Sequence, residues 1–183
     1  MILGPALVII DMQNGMSRAD LTQRNNQKAE GNMRVLLDHW RNKQAPIIHV
    51  RHVSRTAGSP FWPGQRGVEF QSDFEPRPNE HVVEKNVPDA FTNSGLERWL
   101  HQRSIGVLVI VGVSTSNSVE ATARSAGNLG FKTFVVSDAT FDFAKRDFNG
   151  TPRSADDVHA MSLANLHGEY VTVKSTAELR SVV

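Results

Sequence analysis

The chain has 183 residues, a hydrophobic content of 39% and a formal net charge of +1 at pH 7. This length favours a single domain over residues 1–183 whose core is large enough to fold without disulfides. The chain contains no cysteine, which excludes disulfides, thiolate metal sites and a thiol nucleophile.

Composition also narrows the partners and the compartment. The balanced charge shows no basic surface of the kind that binds nucleic acid. No apolar run approaches the roughly 18 residues that span a bilayer. Residues 1–6 lack the basic start and long apolar core of a signal peptide. We therefore predict a cytoplasmic protein with no nucleic-acid or membrane partner.

Strand and helix patterns alternate along the whole chain. The predicted strands are 6–11, 46–53, 81–85, 107–111, 132–138 and 170–174. Helices are predicted over about 24–42, after Ser94, from Asn117 to Gly130, from Ser154 to about Leu166, and after Ser175. Such alternation predicts an α/β fold, a doubly wound (Rossmann-like), mostly parallel six-stranded sheet with helices on both faces.

The stretch from 107 to 120 is the first candidate for chemistry. An apolar run bounded by Gly106 and Gly112 predicts a buried strand, and a polar cluster follows it. Asn117 with Glu120 predicts a capping box, which places Ser118 in the first turn of a helix. Unpaired N–H groups there can activate a nucleophile and hold an oxyanion. The same spacing also fits an ordinary turn between a strand and a helix.

Two charged residues end other predicted strands. Asp11 follows the first strand and Lys85 closes the third. Because parallel strands collect their carboxyl ends along one edge, both are expected to approach the Ser114–Ser118 turn in a common crevice. Taken singly, Asp11 also fits a turn or capping aspartate, and Lys85 fits a solvated surface lysine.

The second predicted strand and the loop that follows it contain further candidates for a metal site and for a substrate-binding wall. His49 and His52 suggest a metal site, but no acidic residue lies near them in the sequence, and strand alternation points them to opposite faces. We therefore predict no metal. Residues 54–80 form a long loop rich in proline, glycine and aromatic residues, which fits a lid or binding wall and also a packing loop.

Three segments taken together carry a family resemblance: ALVIIDMQNGM at 6–16, HVVEKNVPDAF at 81–91 and VIVGVSTSNSVEATARSAGNLGF at 109–131. In this order and spacing the chain resembles the isochorismatase-like hydrolase superfamily, particularly its cysteine hydrolase branch of nicotinamidases and of ureidoacrylate and maleamate amidohydrolases. The loop SPFWPGQRGVEF at 59–70 is similar to the substrate-covering segment of that branch. The resemblance covers nearly the whole chain.

The resemblance implies roles for matching positions. Asp11 would be the general base, and Lys85 would keep it ionised and stabilise charge. The Val113–Ser114 bond would match the family's cis peptide, and the N–H groups of Ser114 and Ser118 would form the oxyanion hole. No cofactor is implied.

The resemblance also implies a small amide-like substrate and an oligomer, a homodimer or a homotetramer. Nicotinamidases carry an Asp-x-His metal motif where this chain has His49-Val-Arg-His52, so a metal-assisted amidase is not expected. The residue types suit a small planar or anionic amide. The predicted substrate-binding residues are Gln13, Arg51, His52, Phe61, Trp62 and Phe91.

The chain departs from the branch at its nucleophile, because Ser118 occupies the position of the catalytic cysteine. A serine hydroxyl is far more basic than a thiol and normally needs a histidine base, so a slow or inactive enzyme is expected. Ser118 is either an engineered replacement of the cysteine or natural, as in the isochorismatases, which cleave a vinyl ether by acid catalysis. A third alternative is a non-catalytic protein that binds a metabolite.

Overall fold

The structure is a computed structural model that describes residues 4–17 and 23–180. The signal-peptide prediction rests partly on residues 1–3, which lie outside the described residues. Eight strands occur in this part of the chain: β1 Ala6–Ile10, β2 Ile47–His52, β3 His81–Lys85, β4 Val107–Val113, β5 Lys132–Phe141, β6 Lys145–Arg146, β7 Pro152–Arg153 and β8 Thr172–Lys174.

Six of these strands form the central sheet, in the order β3-β2-β1-β4-β5-β8. Every pairing between its neighbouring strands is parallel, so the predicted α/β sheet is confirmed and is parallel throughout. The remaining two strands form a small antiparallel hairpin inside 141–153, where no strand is predicted.

Five α-helices connect or follow the strands: α1 Ala29–Asn42, α2 Leu96–Gln102, α3 Glu120–Asn128, α4 Ala155–Leu166 and α5 Thr176–Arg180. None of the helices in the described ranges is long and apolar enough to cross a membrane. The strand β1 shows how the helices divide between the two faces of the sheet. Leu7 and Ile9 face the core that contains α1 and α5, whereas Val8 and Ile10 face the core that contains α2, α3 and α4. Burial on both faces explains why β1 is apolar at every position.

Several predicted boundaries shift. Helix α1 begins at Ala29 rather than near residue 24. Strand β5 continues to Phe141, so Asp138 lies within it, and the Asp138 carboxylate accepts hydrogen bonds from the N–H and hydroxyl of Thr176 at the start of α5. The helices predicted from Ser154 and after Ser175 begin with side-chain caps, since each serine hydroxyl accepts the N–H three residues later.

The predicted capping box at Asn117 is wrong. A single turn of π-helix, Thr115–Val119, precedes α3, and no side chain caps it. The Glu120 carboxylate instead pairs with Arg124 one turn later and with the hydroxyl of Ser162 on α4. Ser118 therefore lies in a wide turn that leads into the helix.

The loop 54–80 is held to the sheet at its carboxyl end by Glu80, whose side chain is almost fully buried. Its carboxylate accepts hydrogen bonds from Arg41 at 2.7 Å, from the N–H of Arg77 at 2.9 Å and from His49 at 2.8 Å. Burial alone would raise the pKa of Glu80, but these hydrogen bonds outweigh burial and lower the pKa from 4.5 to about 2.

Replacing Glu80 by glutamine is expected to lower the free energy of unfolding at pH 7 by about 3 kcal/mol, since each unit of pKa shift corresponds to about 1.4 kcal/mol. The folded-state pKa lies below the unfolded value, so this stability is present above pH 4.5 and is lost as the pH falls towards 2. Urea denaturation between pH 7 and pH 3 measures both effects, and the variant should show the weaker pH dependence.

The control for this measurement is Glu84→Gln. The Glu84 side chain is 55% exposed and pairs with Arg51 on the surface, so its loss should change stability by less than about 1 kcal/mol. Equal losses in the two variants would contradict a stabilising role for the buried Glu80 cluster.

Candidate functional site

Three side chains that are distant in the sequence meet at the carboxyl end of the sheet. The ammonium Nζ of Lys85 lies 2.7 Å from Oδ2 of Asp11 and 3.2 Å from Oγ of Ser118. Asp11 follows β1, Lys85 ends β3, and Ser118 belongs to the turn after β4. The three are 1%, 3% and 5% exposed, so the cluster is nearly closed to solvent.

The Asp11 carboxylate is both buried and incompletely paired. Burial raises its pKa, against the opposing effects of the Lys85 charge and of hydrogen bonds from Lys85 and Ser118. Its second oxygen, Oδ1, has no hydrogen-bond partner. A carboxylate with a raised pKa and a free oxygen can exchange a proton with a bound molecule.

Backbone geometry sets the distance between the strands that carry Asp11 and Ser118. Gly112 has φ +121°, and a Cβ at this position would lie 2.2 Å from the carbonyl oxygen of Ile10. Only glycine permits this close approach of β4 to β1. The next peptide bond but one, Val113–Ser114, is cis, and Asp11 itself has φ 52°.

Many polar groups of the π-turn are already engaged within the protein. The N–H groups of Asn117 and Val119 both donate to the carbonyl of Ser114. The N–H of Ser116 donates to the buried Asp142 carboxylate at 2.5 Å. The turn is therefore held in one shape from the side of β5.

Helix α4 holds the same turn from the other side, through residues that the sequence analysis missed. His159 Nδ1 lies 2.8 Å from the hydroxyl of Thr115, and Ser162 Oγ lies 3.1 Å from the Thr115 carbonyl. Both α4 residues are buried. The only signal in the sequence was two polar residues at helical spacing within a predicted helix, which does not identify their partners.

His52 lies beside Lys85 in the sheet and packs against Phe61. His52 is adjacent to Lys85 in the β2–β3 register, so their side chains share one face of the sheet. Burial and the Lys85 charge lower the pKa of His52, and Asp11 opposes them. The rings of His52 and Phe61 meet edge to face at 5.8 Å.

Trp62 lies further out, 38% exposed. It lines a cleft of about 520 Å³ together with Arg55, Glu84 and Lys85. Of the predicted substrate residues, Trp62 therefore lines a cleft that also touches Lys85, whereas His52 and Phe61 pack against each other.

Gln13 is buried, and its side chain hydrogen-bonds to protein backbone. Its Nε2 donates to the carbonyls of His52 at 2.9 Å and Val68 at 2.8 Å, and its Oε1 accepts the His52 N–H at 2.7 Å. These bonds tie the end of β2 to the loop 54–80. Gln13 thus positions the wall of the site and has little capacity left to bind a substrate.

The structure corrects two predicted substrate contacts. Arg51 is paired with Glu84 in the strand register and by an ion pair, on the face of the sheet opposite Lys85. Phe91 stacks on Phe131, which precedes β5 and therefore lies at the amino edge of the sheet, away from the cluster.

Among the described residues, no group of three or more histidine, cysteine, aspartate or glutamate side chains could hold a metal ion. His49 and His52 point to opposite faces, as predicted, and His49 pairs with Glu80.

The chain is similar to proteins of one family. The model of the isochorismatase domain matches residues 5–178. The chain is 37% identical to the isochorismatase family protein YrdC of Bacillus subtilis (strain 168) over 95% of its own length and 93% of that protein. A crystal structure assigned to the isochorismatase family, from Chromobacterium violaceum ATCC 12472, shares 47% identity and a TM-score of 0.94 over 97% of this chain and 92% of that one. Nicotinamidase 3 of Arabidopsis thaliana is 28% identical over 75% of this chain and 73% of that protein.

Proposed function

Because this chain belongs to the isochorismatase family of hydrolases, we propose that it hydrolyses a C–N bond of a small amide at the cluster of Asp11, Lys85 and Ser118. The observation that carries this proposal is the contact of Lys85 Nζ with both Asp11 and Ser118 in a nearly closed pocket. That a relative is named a nicotinamidase supports the choice of an amide.

In the proposed reaction, Ser118 Oγ attacks the carbonyl carbon of the amide and its proton passes to Asp11. The N–H groups of Ser114 and Ser118 stabilise the negative charge that develops on the carbonyl oxygen. Asp11 then returns the proton to the leaving nitrogen as the C–N bond breaks. A water molecule, deprotonated by Asp11, hydrolyses the acyl-enzyme and regenerates the hydroxyl.

Lys85 serves this reaction through its charge. Its ammonium group contacts the carboxylate directly and therefore favours the ionised form of Asp11 against the effect of burial. The intact motif around Ser118 supports the proposal that the serine is an engineered replacement of a cysteine, in which case the reaction in the present chain is slow.

The surroundings of the site support a small substrate that is planar or anionic. The ring of Trp62 in the cleft beside Lys85, and the paired rings of His52 and Phe61, offer stacking surfaces. Arg55, in the same cleft as Trp62, supplies a positive charge at its mouth. The near-complete burial of the cluster leaves no room for a polymer chain beside it.

A second candidate function is hydrolysis of a vinyl ether without a covalent intermediate. The raised pKa of Asp11 favours this candidate, because a higher pKa increases the fraction of the carboxyl group that carries a proton and can act as an acid. In this route Asp11 protonates the substrate and Ser118 only contacts it.

The test is a panel of small amides, ureas and vinyl ethers, including nicotinamide and ureidoacrylate, offered to the protein and to Ser118→Cys. Intact-mass spectrometry after mixing should show an acyl adduct on residue 118 that is removed by hydrolysis. Turnover without an adduct would favour the ether route. Neither turnover nor adduct with any compound would contradict both and leave a protein that only binds.

The pH dependence separates the two roles of Asp11. A base must be ionised, so the rate of the amide reaction should fall as the pH drops through the raised pKa of Asp11. An acid must be protonated, so the rate of the ether reaction should fall as the pH rises through the same pKa.

A further inference from the structure

We propose that His159 is a positioning residue that fixes the Thr115–Val119 turn, and with it Ser118, through a hydrogen bond to the Thr115 hydroxyl. This inference rests on the proposed function for its effect on catalysis. The contact itself joins two buried groups from distant parts of the chain, since Thr115 is 0% and His159 8% exposed and Oγ1 lies 2.8 Å from Nδ1.

The imidazole of His159 is surrounded by polar groups from distant parts of the chain. The Thr115 hydroxyl lies at Nδ1, and the Ser137 carbonyl acts on the ring by raising its pKa. Asn26 lies 3.4 Å from Nε2, and its Nδ2 already donates to the carbonyls of Ser137 and Thr140. A hydroxyl can both donate and accept, so either tautomer of the neutral ring can pair Nδ1 with Thr115.

The ring is therefore a bridge between β5 and the turn. Nδ1 pairs with the Thr115 hydroxyl on the turn, and the Ser137 carbonyl of β5 acts on the same ring. Burial lowers the pKa of His159, although Asp142, the Ser137 carbonyl and Asp156 oppose it. A neutral ring is the form that can both donate and accept in this way.

The other contact between α4 and the turn does not replace this bond. Ser162 Oγ lies 2.6 Å from the Glu120 carboxylate and 3.1 Å from the Thr115 carbonyl. A serine hydroxyl has one hydrogen, and the charged acceptor at the shorter distance takes it. The Thr115–His159 bond is then the tie that fixes the side chain of Thr115.

Thr115 follows Ser114 directly and is one turn before Ser118, the two residues whose N–H groups are the proposed oxyanion donors. Loss of the tie lets this turn relax, and the donors then miss the position that the oxyanion occupies. Because that charge exists only in the transition state, the loss should lower kcat and leave KM nearly unchanged.

The experiment compares Thr115→Val with Thr115→Ser in the Ser118→Cys protein. Valine has the shape of threonine without the hydroxyl, whereas serine retains it. Thr115→Val should lower kcat by about tenfold or more, with KM within about twofold, because a displaced oxyanion donor weakens only the transition state. Thr115→Ser should recover most of the loss.

His159→Asn and His159→Leu test the other partner. The asparagine carbonyl can accept near the position of Nδ1, so His159→Asn should keep more activity than His159→Leu. The double variant Thr115→Val/His159→Leu should be no slower than the slower single variant, since both remove the same bond. Met161→Gln, on the exposed side of α4, is the control for changes in the helix and should leave kcat unchanged.

A readout without turnover keeps this inference separate from the proposed function. The amide ¹H–¹⁵N shifts of residues 114 and 118 should move in Thr115→Val and return in Thr115→Ser. If no amide is hydrolysed by any form but these shifts behave as expected, the proposed function fails and the positioning role stands. Unchanged shifts and an unchanged kcat in Thr115→Val, or equal losses in the valine and serine variants, would overturn the role of His159.

Discussion

Replacing Ser118 by cysteine is expected to raise the rate of amide hydrolysis by about a hundredfold or more, because a thiol supplies a few per cent of thiolate at pH 7 and a serine hydroxyl supplies almost none. A thiol has a pKa of about 8.5, within reach of the Lys85 charge, which contacts residue 118 directly. Steady-state kinetics on the best substrate of the amide panel measure the gain.

Ser118→Ala is the matched control, since it removes the nucleophile and keeps the pocket. It should form no acyl adduct and fall to the background rate. Equal rates for the serine, cysteine and alanine forms would contradict a covalent mechanism and leave Asp11 as the only proposed catalytic group.

Replacing Lys85 by methionine is expected to destabilise the protein by about 3 to 5 kcal/mol, because it leaves the buried Asp11 carboxylate without its counter-charge. The same change should lower kcat/KM by about 10² or more, since loss of the Lys85 charge raises the pKa of Asp11 further and lowers the fraction of ionised base. Urea denaturation and kinetics at pH 7 measure the two losses.

The double variant Asp11→Asn/Lys85→Met separates stability from catalysis. It removes both charges at nearly constant volume, so most of the lost stability should return, whereas the activity should stay absent. A double variant that regains activity would exclude Asp11 as the proton acceptor. A Lys85→Met protein that is as stable as the parent would contradict the buried ion pair.

Much of the fold follows from local patterns in the sequence. The apolar runs in β1 and β4 predicted strands that are buried on both faces, and the alternation with helices predicted a parallel sheet, as the structure has it. The caps at Ser154 and Ser175 depend on residues three apart, which a sequence displays directly. The π-turn at Thr115–Val119 was missed because Asp142 and His159 of α4, far along the chain, hold its residues.

Those parts of the candidate site that lie at the carboxyl ends of strands could be predicted from the sequence. Asp11, Lys85 and the Ser118 turn were expected at one edge because parallel strands all end there, and the structure brings them into contact. Arg51 was predicted to bind substrate because of its residue type. Strand alternation already placed its side chain on the face of the sheet opposite His52 and Lys85. Phe91 was predicted to bind substrate because it follows β3 closely in the sequence. The chain after β3 instead runs along α3 towards the amino edge of the sheet, where the ring packs on Phe131.

Partners that are remote in sequence could not be predicted. Glu80 hydrogen-bonds to His49 and Arg41, which are more than 30 residues away in the sequence. Thr115 hydrogen-bonds to His159, 44 residues away. Each of these polar residues could equally have been solvated, and only the packing of the elements decides which groups must satisfy one another.

The position of Gln13 has a consequence for how this scaffold can change its substrate. Its amide joins the end of β2 and the loop at Val68 to a residue only two positions after the proposed base. Changing the loop where it contacts Gln13 would therefore disturb proton transfer by Asp11 as well as recognition of the substrate. The outer residues around Trp62 lack that connection, so new specificities can arise there while the reacting groups keep their places.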